Sequence, residues 1–560
     1  MQNEVLSIRA ISRRLQFHTP AKVSATLATF ALALATTCLP AAAQVGGAYQ
    51  VTNLVSDGSV TATVMDAHFI NPWAISASGT WWIATQGSGL DYAITTVPAV
   101  NFSVVVPAAS GSTTAIGSPA GSVTTGGTTG MILPNLTKAS FLFSTLDGTI
   151  SGWNTKLGTA GAISQIVINN SSAGASYPGL AIINTATASY ILAPNFGTGN
   201  TIEIYDGTFK PTKLTGTFTD PSLPAGYSPF SVHVLNNQVY IAYALRSAAA
   251  PYHSVDALGN GAVSLFDTSG NFIKRIATGG VLDSPWGVAI APTSFGIFGG
   301  DILIGNFGNG LINAFDPVSF AWRGQLVDGT GKPISYASLW DLLPAGTAVG
   351  NTSSVSGGTA GTVYFSAGLT GEAHGLFGAI ANNPTPSGTA TFGVAASGGV
   401  TIPAGSSGTA VISIAPTNNF SGTVNLACTN MPVAATCSFA PAAVPVTATT
   451  SSLSTVTIQT TKMAALDPGK FRRSAATGIT WALLLPFGCI LAFRRRSNAI
   501  RFLGVAVLLV GSAGFIIGCG TNNPQIMPFT PTGTVNVIIT ASSGTGTALN
   551  QSTILPVTVQ

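Results

Sequence analysis

Charge is what this chain most lacks: Asp, Glu, Lys and Arg make up 7% of its 560 residues. So little charge beside 46% hydrophobic residues excludes intrinsic disorder, which pairs low hydrophobicity with high net charge. The few charges are also unevenly placed. Residues 44–380 hold nine Lys and Arg against fifteen Asp and Glu, a net of −6, while basic residues crowd 9–22 and 470–501. An acidic middle excludes the electrostatic footprint of a nucleic-acid binder. Histidine is scarce too: His18, His68, His233, His253 and His374 show no metal-ligand spacing, and neither H-E-x-x-H nor G-x-S-x-G occurs. No catalytic set, metal site or cofactor is therefore expected. Of five cysteines, Cys428 and Cys437 lie nine apart in a strand-rich stretch and are expected to form a disulfide. A zinc site would need further ligands that the neighbourhood lacks.

What is abundant is Gly, at 65 residues, together with Thr, Ser and Val. Such a composition suits short strands joined by tight turns rather than helices. Self-similarity organises them. Asn71-Pro72-Trp73-Ala74-Ile75, Ser228-Pro229-Phe230-Ser231-Val232 and Ser284-Pro285-Trp286-Gly287-Val288 share a Pro-aromatic core, with weaker copies at Pro178-Gly179-Leu180 and Ser338-Leu339-Trp340. Recurrence at intervals of roughly 50 residues indicates a propeller or another array, here of six units across 44–380. Proline belongs at a strand start, where its missing N–H costs the ladder least. The aromatic ring after it is expected to pack between adjacent sheets.

Residues 381–400 read as a Ser/Gly/Thr/Pro-rich linker. Alternating strands follow in 401–461, break off near 462 and resume in 529–560, the pattern of an Ig-like β-sandwich with an insertion. The insertion holds two apolar segments, 474–493 and 500–519, each long enough for a transmembrane helix, joined by Arg494-Arg495-Arg496 and three further residues. The positive-inside rule puts that loop in the cytoplasm and both sandwich fragments outside. Basic residues, an apolar run and Ala41-Ala42-Ala43 make 1–43 a signal peptide. Ile516-Ile517-Gly518-Cys519 also has the look of a lipidation site. The expected fold is all-β: a six-bladed β-propeller plus an Ig-like sandwich, with two transmembrane helices near the C-terminus. The expected location is the bacterial inner membrane, anchored through 474–519, with the propeller on the periplasmic or extracellular side.

A resemblance rests on Asn53-Leu54-Val55-Ser56-Asp57, Asn71-Pro72-Trp73, Leu146-Asp147-Gly148-Thr149-Ile150-Ser151-Gly152-Trp153 and Leu223-Pro224-Ala225-Gly226-Tyr227-Ser228-Pro229-Phe230. It continues through Ser284-Pro285-Trp286-Gly287-Val288-Ala289, Gly305-Asn306-Phe307-Gly308 and His374-Gly375-Leu376-Phe377-Gly378. Across 50–380 the chain resembles an uncharacterised family of bacterial exported β-propeller proteins, similar to NHL-type six-bladed propellers. The resemblance implies a propeller and carries no catalytic residues with it. Residues 400–460 look like bacterial Ig-like repeats, through Phe420-Ser421-Gly422-Thr423-Val424 and Cys428 to Phe439.

The recurring Asp147, Asp206, Asp267, Asp316 and Asp328 are expected to cap turns, since they repeat at matching places in each unit. A functional site is to be sought where units differ. His68, His233 and His374 are candidate ligand-binding positions, and the side-chain amides of Asn195 and Asn306 are others. The leading expectation is a non-catalytic binding or surface scaffold protein whose partner is a cell-surface protein or glycan. The alternative is a metal-dependent hydrolase or lactonase working in the propeller channel.

Overall fold

The computed structural model describes residues 49–110, 116–346, 357–383, 389–462, 529–544 and 549–560. The expected signal peptide at 1–43, the apolar segments 474–493 and 500–519, and Cys519 lie outside the described residues. Among the described residues no helix is long and apolar enough to cross a membrane. The fold is all-β and β-propeller-like.

Six small antiparallel sheets follow one another between Pro72 and Asn382. Their innermost strands are Pro72–Ala77, Pro119–Thr124, Ala181–Asn184, Tyr227–Leu235, Pro285–Ile290 and Leu339–Pro344, and the sheets are numbered 1 to 6 in that order. An apolar cluster fills each of the six interfaces between neighbours, so the sheets close into a ring. Trp82, Phe141, Phe143 and Trp153 lie between sheets 1 and 2, for example, and Ile183, Val232, Ile241 and Phe266 between sheets 3 and 4. Leu303, Leu342, Val363 and Phe365 join sheets 5 and 6, and Ile75, Trp81, Tyr364 and Phe377 join sheet 6 to sheet 1.

The ring closes with a strand from the wrong end of the repeat. Tyr49–Ser56 pairs antiparallel with Leu376–Asn382, Val51 opposite Ile380, as the fourth strand of sheet 6, with the two-residue strand Val64–Met65 parallel beyond it. This removes a free seam, since a closed ring leaves only short, protected edges. Tyr49 adds to the closure by donating its hydroxyl to the Phe295 carbonyl at 2.8 Å.

The Pro-aromatic motif has a different job from the one expected. In five of the six inner strands the register shifts by a bulge at the motif, as between Pro72 and Ile75 and between Pro285 and Val288. A bulge bends the strand and re-aims its side chains. Trp73, Phe230, Trp286 and Trp340 consequently meet one another at the ring axis instead of packing between sheets. Trp73 stacks on Trp340 with centroids 3.4 Å apart, and Trp286 meets both edge-on. Where a fifth and sixth ring would crowd the axis, sheets 2 and 3 place Ala120 and Gly179. Trp286 reaches into that space and donates its indole N–H to the Pro178 carbonyl at 3.2 Å.

The aspartates cap turns. Asp206, Asp267 and Asp328 each accept the N–H groups of residues two and four further on, and Asp316 those of Val318 and Ser319. Asp147 differs, accepting Ser118 N–H at 2.9 Å and so tying its turn to the start of its own inner strand.

The second region is a two-sheet sandwich. One sheet orders Thr391–Ala396, Ser407–Thr417, Ser452–Gln459 and Thr436–Ala440; the other orders Val400–Ile402, Leu549–Val559, Gly533–Ser543, Gly422–Thr429 and Ala443–Val446. Strands on either side of the 463–528 insertion thus share a sheet, Cys428 opposite Ile539. Cys428 and Cys437 form the disulfide, which links the two sheets. The linker expected at 381–400 needs correction: its start finishes sheet 6, and Thr391–Ala396 is an edge strand with Phe392 fully buried in the sandwich core. Small residues misled here because a short edge strand needs only one large anchor. The sandwich docks on sheet 5, where Ser413 Oγ donates to Arg323 O at 2.8 Å and Asn418 Nδ2 to Gly329 O at 2.7 Å.

Candidate functional site

Two spaces lie on the ring axis, one behind the aromatic cluster and one in front of it. The inner space is a cavity of about 60 Å³ lined from all six inner strands. Its polar wall is His233 of sheet 4 and Asp341 of sheet 6. His233 Nε2 bonds the Trp286 carbonyl at 3.0 Å, which also accepts Ser231 Oγ. Asp341 accepts Ile75 N–H and Leu342 N–H, each at 2.8 Å. Burial pushes the imidazole down to about 4 and the carboxyl up to about 7. The ring is therefore neutral at pH 7, and its 3.9 Å approach to Asp341 is not an ion pair. Such a volume holds about two waters, not a substrate.

The outer space is a cup of about 480 Å³ above the same cluster. Trp73, Phe230 and Trp340 form its floor, Phe196 and Phe307 its sides, and Tyr252 and His253 one wall. Phe307 stacks on the face of Trp340 at 4.3 Å, so Trp340 lies between Trp73 and Phe307. Glu372 lines the cup as its carboxylate. It is held in place by Asn71, whose Nδ2 donates to Glu372 Oε2 at 2.7 Å while its Oδ1 accepts Trp340 Nε1 at 2.9 Å. The backbone that presents Glu372 is left-handed at three successive residues, Thr370, Gly371 and Glu372, with φ of 55°, 63° and 70°. Thr at positive φ is costly, so the surrounding contacts must impose this conformation.

More negative charge stands nearby. Asp256 is close enough to raise both Glu372 and Asp283, though burial is the larger cause in each case. Asp283, at 6% exposure, is pushed up to about 6, and its Oδ1 has no hydrogen-bond partner. Ser284 Oγ donates to Asp256 Oδ1 at 2.6 Å. The nearest cation is occupied: Arg246 lies 4.2 Å over the Tyr252 ring and donates to the carbonyls of Phe196 and Gly197.

The expected site residues scatter. Of the three candidate histidines, only His233 faces the channel. His68 is exposed beside Asp66, its Nδ1 3.4 Å from Asp66 Oδ1, and takes no part in the axis. His374 Nδ1 bonds Asp57 Oδ2 at 2.6 Å and ties the sheet 6 turn to the closing strand. Asn195 and Asn306 do not offer their amides to a ligand surface, and neither is left-handed. Asn195 Oδ1 accepts the N–H groups of Ser176 and Gly197, and its Nδ2 reaches Glu203 at 2.6 Å. Asn306 Nδ2 donates to Val281 O and Asn309 Oδ1. Both are buried turn braces. Sequence reasoning missed Glu372, Tyr252, His253 and the joint role of the motif aromatics. The available signal was that four of six units keep a large ring at one position while two keep Ala or Gly. Among the described residues no three His, Cys, Asp or Glu side chains converge as a metal set.

No family model matches the chain. It is similar to three uncharacterised proteins of Acanthamoeba polyphaga mimivirus. The first is 31% identical over 213 residues, 37% of this chain and 38% of that protein. The second is 28% identical over 318 residues, 53% and 74% respectively, and the third 30% over 224 residues, 39% and 55%. The chain thus spans between 38% and 74% of the length of these relatives. Among solved structures it is similar to the PQQ-bound aldose sugar dehydrogenase of Streptomyces coelicolor, at 12% identity over 60% of this chain and 99% of that one, with a TM-score of 0.34. A likeness that distant supports no argument about chemistry.

Proposed function

We propose that this chain is an exported, membrane-anchored six-bladed β-propeller with an Ig-like sandwich, and that it acts as a non-catalytic binding protein through the cup at its axis. The observation that carries this reading is the contrast between the two axial spaces: about 480 Å³ open in front of the aromatic floor against about 60 Å³ behind it. Ligand sites are concave, mostly apolar and set with a few polar groups, which describes the cup and not the channel. The hydrolase alternative draws on the His233 and Asp341 pair, but their cavity is too small for a lactone or ester. Export and anchoring draw on the signal-like start and the apolar 474–493 and 500–519.

Tryptophan emission of the purified chain reads the cup directly, because Trp73 and Trp340 form its floor. Titration with a panel of soluble glycans, peptides and small organic ions is expected to give a saturable change for at least one class. A flat response to the whole panel, alongside turnover of lactones or esters, would replace this reading with the hydrolase. Protease added to spheroplasts is expected to digest both the ring and 529–560; protection of the tail refutes the anchoring topology.

A further inference from the structure

We infer that the axial cup takes an organic cation, an ammonium or quaternary ammonium head carried by a small molecule or by a partner side chain. This inference rests on the binding reading above and narrows it to one ligand chemistry.

Aromatic walls and carboxylates together define a cation site: ring faces attract a cation through their quadrupole, and a nearby anion adds a Coulomb term strengthened by desolvation. The cup supplies both. Six aromatic rings line a volume of about 480 Å³; Tyr252 and Phe307 are its partly exposed members, while Trp340 has both faces covered by Trp73 and Phe307. Glu372 lines that volume, and Asp256, which does not, is close enough to act electrostatically on both Glu372 and Asp283. None of the three carboxylates has a Lys or Arg ion-pair partner among the described residues.

Among the buried polar atoms without partners, one belongs to a cup-lining ring and one to a carboxylate within electrostatic reach of Asp256. Asp283 Oδ1 and the indole N–H of Trp73, whose ring is on the cup floor and 4% exposed, lack hydrogen-bond partners. Buried polar groups are nearly always satisfied, so such exceptions call for an explanation. An ammonium head provides positive charge for Glu372, the carboxylate that lines the cup. The Arg246 guanidinium over Tyr252 shows that the rim already stabilises one cation on an aromatic face; its Nη1 donates to the Phe196 and Gly197 carbonyls. A neutral sugar fits less well, because it would leave the Glu372 carboxylate without a counter-charge.

Isothermal titration of the full chain with choline, its neutral isostere 3,3-dimethylbutan-1-ol and methyl glucoside tests this. Choline is expected to bind at least tenfold tighter than the isostere, since removing the charge removes the ring-quadrupole and carboxylate terms. Glu372→Gln is expected to weaken choline about tenfold while leaving the isostere unchanged. Should loss of the Asn71 bond unfold that variant, Asp256→Asn, at an exposed position, gives the same comparison with a smaller change. A peptide bearing trimethyllysine, run beside free choline, separates a partner side chain from a small molecule by which binds tighter. Equal affinity for choline and the isostere overturns the cation assignment. Binding of the glucoside alone also overturns it but leaves the cup as a binding site. Silence from all four probes overturns both.

Discussion

The ring and the sandwich are both stacks of antiparallel sheet, yet they are chemically opposite. The ring holds nine Lys and Arg and fifteen Asp and Glu; the sandwich, 389–461 and 529–560, holds no charged residue, histidine or tyrosine at all. The sandwich is therefore built from apolar burial, backbone ladders and one disulfide, with nothing left to titrate. The ring uses most of its aspartates to cap exposed turns and keeps a few ionisable groups buried at the axis and between sheets. Asp91 is the extreme case: it is fully buried between sheets 1 and 2, neither carboxyl oxygen is hydrogen-bonded, and burial raises it well above the carboxylate range. The difference leaves the ionisable side chains to the ring, while the sandwich packs against sheet 5.

The sharpest way to break that comparison is at the axis. Trp340→Ala removes a ring stacked on both faces and 1% exposed, and should cost about 3–5 kcal/mol. Hydrogen exchange is expected to show lost protection in the inner strands of all six sheets and little change in Gly533–Ser543. Equal loss in both would mean the two regions unfold as one. Next in size is the disulfide. Cys428→Ser with Cys437→Ser opens a short crosslink, nine residues in separation, and should cost about 2–3 kcal/mol. Denaturant melts followed by exchange should place that loss in the sandwich alone.

A smaller effect comes from pH. Asp341 is raised in the folded state, so between about 4 and about 7 the folded protein keeps a proton that the unfolded chain has released, and stability falls as pH rises. His233 works the other way. Its folded value near 4 lies below the unfolded 6.5, so its contribution is present above 6.5 and is lost as pH falls toward 4. Asp341→Asn should remove the first dependence, so that stability falls less steeply, between about 4 and 7, than in the parent chain. An unchanged slope in pH-dependent denaturant midpoints counts against the assignment, and exchange in the sandwich, corrected for intrinsic rates, should not respond. The smallest change expected is Asp267→Ala, which loses the turn bonds to Ser269 and Asn271 for about 1 kcal/mol, read as a modest shift in melting temperature.

Much of the fold was legible because it is local. Strand alternation, turn chemistry and the Pro-aromatic recurrence need only a few adjacent residues, and they gave six units and a sandwich split by an insertion. Tyr49–Ser56 shows where that reading stops: chain order places it before the first unit, while its hydrogen bonds place it in the last. The site was less legible for the same reason. His68 and His374 stand out in sequence, but each is absorbed by a local carboxylate, Asp66 and Asp57. Glu372 carries no motif and matters through Asn71, 301 positions away.

By itself the sequence determined the strand content, the turns, the disulfide partners and the number of repeats, since these follow from periodicity and short-range chemistry. Only the tertiary structure decided what the repeats enclose. Bulges in their inner strands turned four aromatic rings inward, and Ala120 and Gly179 left room for them to meet. Ring closure then joined Asn71, at the start of sheet 1, to Glu372 and Trp340 of the last unit. Convergence on an axis is a property of six sheets together, and no single repeat encodes it.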